Sequence, residues 1–398
     1  MFKKDHLNVY FINTLTSTST FNRLFKNHNI IHSSAQKFFS LLAHGFASNP
    51  NVNVKVISLL PINSKDQKKL FWVFNKDVDG NIEFEYIPLF NIPVIRNILV
   101  NLYVFFTIIF KKFPKTSKNV ILVDFLRFSI NASVIVACKL RGIKVVTVVT
   151  DKPGLGIYKT FTGKIRDSFI LWLIFDYYVC LTKDLNTVIN TQRKPSLIIE
   201  GIVDIDLQSI ENNIADKFEN RVIVYAGGLD EKYGIQTLIE AFLLFPDLDL
   251  ELWLFGTGSL LAEIFEYSRK DERIQYKGIV QNQQLMRLLN RATLLVNPRP
   301  THEEFTKYSF PSKNIEYMST GTPLLTTRLA GIPEDHYPYI YFIDEDSVEG
   351  VYKGIARILK YSLLEINTFG LMAKEYTIQN KNNVKQAEKI INMLEFNS

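Results

Sequence analysis

Three side chains with binding chemistry fall close together in Ser309-Phe-Pro-Ser-Lys-Asn-Ile-Glu316: the hydroxyl of Ser312, the cation of Lys313 and the carboxylate of Glu316. The local pattern predicts a short helix over Pro311 to Ser319. Ser309 is placed to cap it, Pro311 falls in the first turn where its missing N–H costs little, and Gly321 lets the chain leave. Residues three and four apart share a helix face, so Ser312, Lys313 and Glu316 project together, and Ile315 and Met318 form a separate apolar stripe. A helix N-terminus is the positive end of its dipole and suits phosphate. The bland alternative is a solvated helix face.

Glycine turns lie upstream. Gly227-Gly228-Leu-Asp-Glu-Lys-Tyr-Gly234 sits between a predicted strand, 221–226, and a predicted helix, 234–245. Glycines there let backbone amides approach a phosphate closely, with Lys232 in reach of a diphosphate and Lys313 as a second cation. The next strand, 250–255, ends in Gly256-Thr-Gly258, and Gly278-Ile-Val280 follows a short extended run. In the first half, Asp151 stands just past the strand predicted over 143–150, the end at which open α/β sheets place ligands. It is either a binder of an acceptor hydroxyl or a loop cap. Thr16-Ser-Thr-Ser-Thr20 follows the first strand, 9–15, where a dinucleotide site would show glycines; it offers hydroxyl and amide donors to phosphate or forms an ordinary turn. His28, His32 and His44 read as ordinary surface or core histidines.

The run Ser-Phe-Pro-Ser-Lys-x-x-Glu-Tyr-x-x-x-Gly-x-Pro at 309–323 resembles the donor-site signature of retaining glycosyltransferases of family 4, in the branch that builds bacterial capsule, O-antigen or exopolysaccharide. The resemblance implies a GT-B fold, two Rossmann-like doubly wound α/β domains facing a central cleft. It implies that Glu316, the second glutamate of the signature, holds the ribose of a nucleotide sugar. The first glutamate falls on Tyr308, with Glu303 and Glu304 upstream in the same loop. Residues 227–234 are similar to the family's diphosphate loop, with Gly228 in its arginine slot and Tyr233 in its lysine slot, and 278–280 are similar to the segment that reads the base. The candidate site, from the residues and the resemblance together, is Asp151, Lys232 and Lys313 for chemistry, and Gly227, Gly228, Lys232, Gly256, Val280, Ser309, Ser312, Lys313 and Glu316 for the donor. A departing nucleoside diphosphate needs its growing charge stabilised, which lysines, amides and a helix end can do. No Asp-x-Asp pair stands at a strand end; Asp344-Glu-Asp346 and Asp204-Ile-Asp206 read as turn and linker acids. The expectation is therefore a metal-independent enzyme with no cofactor.

The elements that must position these groups follow from size and pattern. The 398 residues suffice for two domains, and a 47% apolar composition makes the chain globular. Apolar β-branched runs alternate with helical segments twice over, giving two parallel sheets: 1–203, a polar linker at 204–220, and 221–378, with a final helix over 379–398 expected to pack back on the first domain. Residues 1–200 hold 26 Lys+Arg against 12 Asp+Glu, a balance of +14, and residues 201–398 hold 20 against 28, a balance of −8. The halves therefore face different partners, acceptor and donor. Cys138 and Cys180 lie in apolar surroundings without a Cys/His cluster, which indicates neither disulfide nor zinc. The first residues lack a secretory signal, pointing to the cytoplasm.

Residues 93–118 join an aromatic, apolar helix, interrupted by Asn101, to Lys111, Lys112, Lys115 and Lys118. Too short to span a bilayer comfortably, this segment is either buried or interfacial, in contact with an anionic membrane face. The combined reading is transfer of a sugar from a nucleotide sugar to a lipid-linked saccharide acceptor. Two alternatives stay open: a nucleotide-sugar-binding subunit of weak activity, and a nucleotide-sugar epimerase or hydrolase. The basic residues form no reader of nucleic acid.

Overall fold

The computed structural model describes residues 6–25, 34–60, 62, 69–153 and 173–396. His28, His32 and the chain beyond Pro153 in the Asp151 loop lie outside them. The chain divides into two units, Met1–Ile202 with Asn383–Ser398, and Val203–Asn382.

Continuous apolar runs such as Val120-Ile-Leu-Val123 form strands buried on both faces, as parallel sheets require. In the first unit the strands are β1 (Leu7–Asn13), β2 (Val52–Ser58), β3 (Phe71–Trp72), β4 (Asp77–Asp79), β5 (Ile82–Tyr86), β6 (Leu89–Phe90), β7 (Lys118–Asp124), β8 (Lys144–Val149), β9 (Tyr177–Cys180) and β10 (Ser196–Ile198). Eight of them make one sheet in the order β10-β9-β8-β7-β1-β2-β5-β4. Pairing is parallel throughout except for β4 against β5. The order reverses between β1 and β7, the topological switch point of a doubly wound sheet. The helices are α1 (Thr18–Phe25), α2 (Ser34–Ala47), α3 (Pro93–Phe110), α4 (Phe128–Arg141) and α5 (Lys183–Ile189). Gly142 closes α4 in the left-handed conformation at φ 64°.

Three local features are decided by partners distant in the chain. In the sequence a helix over 33–45 would take Gly45 as its stop, but Gly45 lies inside α2, and a Cβ there would overlap the backbone carbonyl of Asn383 where the last helix packs. The hydroxyl-rich loop after β1 spends its donors internally. Thr18 N donates to Asp79, and the hydroxyls of Ser17 (2.5 Å), Ser19 (2.5 Å) and Thr20 (3.1 Å) converge on one oxygen of Asp77. Those hydrogen bonds outweigh partial burial and hold the Asp77 carboxyl down at about 2. Asn101, which breaks the apolar run of α3, accepts from Ser133 Oγ at 2.6 Å and so joins α3 to α4.

In the second unit the strands β11 (Arg221–Gly228), β12 (Leu250–Thr257), β13 (Ile274–Gly278), β14 (Leu294–Asn297), β15 (Leu324–Thr327) and β16 (Tyr341–Ile343) form a parallel sheet in the order β13-β12-β11-β14-β15-β16. Around it lie α6 (Ile235–Phe242), α7 (Leu261–Lys270), α8 (Asn282–Arg291), α9 (Ser312–Ser319), α10 (Val348–Leu359) and α11 (Leu363–Asn380). Ile223, Leu252, Leu254 and Val296 of the sheet meet Leu238, Phe242, Ile355 and Ile358 of the helices in one core. The polar stretch 204–220, read as a linker, carries two 3-10 turns, Ile205–Ser209 and Ile214–Asp216, and caps helix ends of this unit. Asn212 Nδ2 donates to the carbonyls of Asn290 (3.1 Å) and Thr320 (2.9 Å), and Lys217 Nζ to those of Asn290 (2.7 Å) and Ala292 (3.0 Å). Those carbonyls have no partner within their own helices. The last helix, α12 (Asn383–Phe396), packs on α2 of the first unit, and Gln386 Nε2 donates to Gly201 O at 3.1 Å.

Candidate functional site

The carboxyl ends of β11 and β14 are neighbours in the sheet, and the chain leaving each meets the start of α9. Two buried anchors fix that helix. Tyr317 donates its hydroxyl to Ala226 O at 3.0 Å and accepts from Ala226 N at 2.7 Å, which ties α9 to β11. Asn314, fully buried, accepts from Asn297 Nδ2 at 2.6 Å and reaches Thr326 Oγ1 at 3.5 Å, tying it to β14 and β15. With Asn314, Tyr317 and Met318 turned inward, helical spacing leaves Lys313 and Glu316 partly exposed together and Ser312 on the surface. Ile315 and Met318 are buried, as the predicted apolar stripe requires.

The predicted cap is corrected. The helix starts at Ser312 with Pro311 at the capping position, and Ser309 Oγ instead accepts from Arg299 at 3.4 Å. Pro311 itself stands outside helical geometry, at φ −73° and ψ 89°, so the helix begins only after it.

Lys313 folds back over β11. Its Nζ lies 3.1 Å from Tyr225 Oη and occupies the space a side chain at Gly227 would fill, so a side chain there would displace the tip of the lysine. A Cβ at Gly228 would press on the Tyr233 ring. Burial and the Arg299 guanidinium push the Lys313 amine down to about 8, against the pull of Glu316 and Asp230. Burial raises Tyr225, so its hydroxyl stays protonated. It donates to Gly228 O at 2.9 Å.

The Tyr233 ring is the hub of the cluster. Lys232 Nζ stands 5.1 Å from its centroid, the Arg299 guanidinium carbon 5.3 Å and Lys313 Nζ 5.5 Å. Arg299 also lies over Phe305, 4.6 Å from that centroid. Asp230 is the nearby carboxylate of the turn; the backbone N–H (2.8 Å) and hydroxyl (3.0 Å) of Ser259 hydrogen-bond it and lower its pKa. Gly234, at φ 76°, has no room for a Cβ against Pro298 O, so the 227–234 turn and the loop after β14 lie in contact.

The structure therefore gathers Gly227, Gly228, Lys232, Ser309, Ser312, Lys313 and Glu316 around one turn and one helix start. Gly256 is paired with Gly227 across β11 and β12; at φ 125° it accommodates the Gly227 carbonyl, and its own carbonyl accepts from Tyr276 Oη at 2.9 Å. Val280 follows β13 on the far side of β12. Asp151 belongs to the first unit, exposed past β8, where it accepts from Lys152 N at 2.8 Å. Glu303 opens the 3-10 turn Glu304–Lys307, half-buried, while Glu304 is exposed. The residue that sequence reasoning missed is Arg299. Its signal was Asn297-Pro-Arg-Pro300, an arginine held between prolines directly after a strand. Among the described residues no group of three or more His, Cys, Asp or Glu side chains is placed to hold a metal ion.

Residues 220–361 match the family model described as "Glycosyl transferases group 1". No curated protein matches the chain in sequence. Among solved structures, the chain is similar to sucrose-phosphate synthase from Thermosynechococcus elongatus, with 15% identity, 99% of this chain and 100% of that one covered, and a TM-score of 0.68. It is similar to Anabaena Alr3699/HepE in complex with UDP, at 13% identity over 98% and 99% of the two chains, TM-score 0.66. It is also similar to the lipopolysaccharide outer core galactosyltransferase WaaB, at 15% identity over 98% and 100%, TM-score 0.61. The fold is thus the GT-B arrangement of two doubly wound α/β units, and the cation cluster lies inside the matched segment.

Proposed function

We propose that the protein is a glycosyltransferase that takes a sugar from a nucleotide diphosphate donor. The observation that carries this reading is the convergence of Lys232, Arg299 and Lys313 on one aromatic ring, 5.1 to 5.5 Å from its centroid. Three cations crowded in this way repel one another, and a diphosphate relieves that repulsion while gaining charge-assisted hydrogen bonds. The turn that carries Lys232 also presents glycine backbone, and Glu316 projects one helical turn along from Lys313 to take the ribose hydroxyls. The match to the glycosyl transferases group 1 model and the UDP-bound Anabaena neighbour support this assignment. When the sugar departs, Lys232, Arg299 and Lys313 hold the charge that develops on the leaving phosphate, work that asks for no metal ion. We take the reaction to proceed with retention of configuration, as in the family 4 enzymes the signature resembles. The experiment is turnover of a panel of UDP, GDP, CMP and dTDP sugars by the purified chain, with and without EDTA and with a lipid-linked saccharide acceptor. Release of nucleotide only in the presence of acceptor supports transfer. Release without acceptor makes the chain a hydrolase, and binding without turnover makes it a donor-binding subunit.

The acceptor is proposed to be lipid-linked, and its synthesis to serve a bacterial surface polysaccharide, with the first unit resting on the inner face of the membrane. Ile95, Ile98, Leu99, Leu102, Phe106 and Phe110 recur at three- and four-residue spacing along α3 and are all exposed, Phe110 at 76%. Val136 and Leu140 are also exposed on α4, against which α3 packs. Such a contiguous apolar face marks an interaction surface. Of the predicted lysine run, Lys111 pairs with Glu85 (3.2 Å) and Lys118 bonds the Leu394 carbonyl, whereas Lys112 and Lys115 remain exposed at the end of the stripe, ready for anionic headgroups. No helix among the described residues is long and apolar enough to cross a membrane. Co-sedimentation with phosphatidylglycerol vesicles, lost in the Leu102→Glu/Phe106→Glu variant, tests the contact; equal sedimentation of variant and parent refutes it.

A further inference from the structure

We propose that Arg299 is the diphosphate-reading residue of this site and that Tyr233 is the positioning residue that aims it; the inference rests on the donor reading above. In the loop that resembles the family's diphosphate turn, the arginine slot holds Gly228 and the lysine slot holds Tyr233. Neither slot holds a cation, and Lys232 stands one position before the lysine slot, yet the structure brings a guanidinium to the turn from the loop after β14.

The restoration is specific in three ways. The backbone of Arg299 is fixed, because its carbonyl accepts from Thr327 Oγ1 at 2.5 Å and the preceding Pro298 carbonyl fills the space beside Gly234. The side chain is fixed, because the guanidinium lies over Tyr233 at 5.3 Å and over Phe305 at 4.6 Å while donating to Ser309 Oγ at 3.4 Å. Its charge is directed at the same place as the other two cations, since Lys232 and Lys313 meet the same ring. A guanidinium stacked on aromatic rings is held in a fixed plane, and its planar fork matches two oxygens of a phosphate at once, which an ammonium cannot do. Tyr233 thus makes a different contribution from the lysine it replaces: it supplies no charge, but sets where three charges stand. Gly228 follows from this, because a side chain there would push the ring aside. The arrangement predicts selectivity by phosphate number, with Arg299 contributing to the second phosphate and little to a nucleoside monophosphate.

Isothermal titration at pH 7 with UDP, GDP, CDP, ADP and dTDP and the five corresponding monophosphates tests this on the full chain, each variant being checked first by circular dichroism and thermal unfolding. Arg299→Gln is expected to weaken the preferred diphosphate about 10- to 100-fold, the range of one charge-assisted hydrogen-bonding group, while its monophosphate changes less than about twofold. Arg299→Lys keeps the charge and the local packing but is expected to recover only part of the loss. Tyr233→Phe, which keeps the ring, is expected to bind like the parent, and Tyr233→Leu to lose diphosphate selectivity. If the parent binds a diphosphate and Arg299→Gln or Arg299→Lys leaves the diphosphate-to-monophosphate ratio unchanged, the role of Arg299 is wrong and the donor reading stands. If the parent binds none of the ten nucleotides, the donor reading falls and this inference with it.

Discussion

Raising the pH from 7 to 9 is expected to weaken binding of the donor about tenfold through a single amine. Lys313 is held at about 8 by its burial and by the Arg299 guanidinium, with Glu316 and Asp230 acting against them. About nine-tenths of the protein therefore carries the charged amine at pH 7 and about one-tenth at pH 9, so a site that needs the ammonium loses about 1.4 kcal/mol of affinity between them. The diphosphate of a nucleotide sugar is a diester and keeps its charge over this range, so its phosphates do not titrate. Titration calorimetry with UDP-glucose, GDP-mannose or dTDP-glucose, whichever binds, measures the affinity. Repeating it at pH 9 in buffers of different ionisation enthalpy counts the proton taken up, close to one per complex. Lys313→Met is expected to bind weakly and without pH dependence. Folding responds with the opposite sign: the folded pKa lies below the unfolded value of 10.5, so the unfolded chain binds the extra proton and this group's contribution to stability rises between about pH 8 and 10.5. Constant affinity from pH 7 to 9, with no proton uptake, would refute the placement of Lys313 against the phosphates.

Further expectations follow from the same geometry. Gly227→Ala puts a methyl group where the Lys313 amine lies and is expected to weaken donor binding about tenfold or more, the scale of one charged hydrogen bond, as read by calorimetry. Tyr317→Phe strips Ala226 of two hydrogen bonds in a buried setting and is expected to cost about 1–3 kcal/mol in urea unfolding. Gly45→Ala forces α2 and α12 apart and is expected to destabilise by about 1–3 kcal/mol or more, with a fall in midpoint of the same unfolding curve.

What could be read from the sequence was what depends on near neighbours. The spacing of Lys313 and Glu316 decided their shared face, and the apolar runs of β7 and β8 decided a sheet buried on both sides. Errors arose where a partner lies far along the chain. Gly45 looked like a helix stop because the residue that excludes its side chain, Asn383, belongs to the last helix. The hydroxyls of Ser17, Ser19 and Thr20 looked available because Asp77 comes two elements later in the sheet. Asn101 looked like an interruption until Ser133 was found opposite it. Arg299 became part of the site only because β14 is laid beside β11, a crossover that no local pattern announces.

The second unit is an insertion: the chain leaves the first unit at Ile202 and re-enters it at Asn383. During synthesis on a ribosome, residues 203–382 can emerge and close their own core while the earlier-made part still waits for its last piece. Until α12 arrives, α2 keeps its surface at Gly45 uncovered, and the older unit lacks part of its packing. A stalled or clipped chain that stops near residue 382 is therefore expected to keep an intact second unit joined to an incomplete first one.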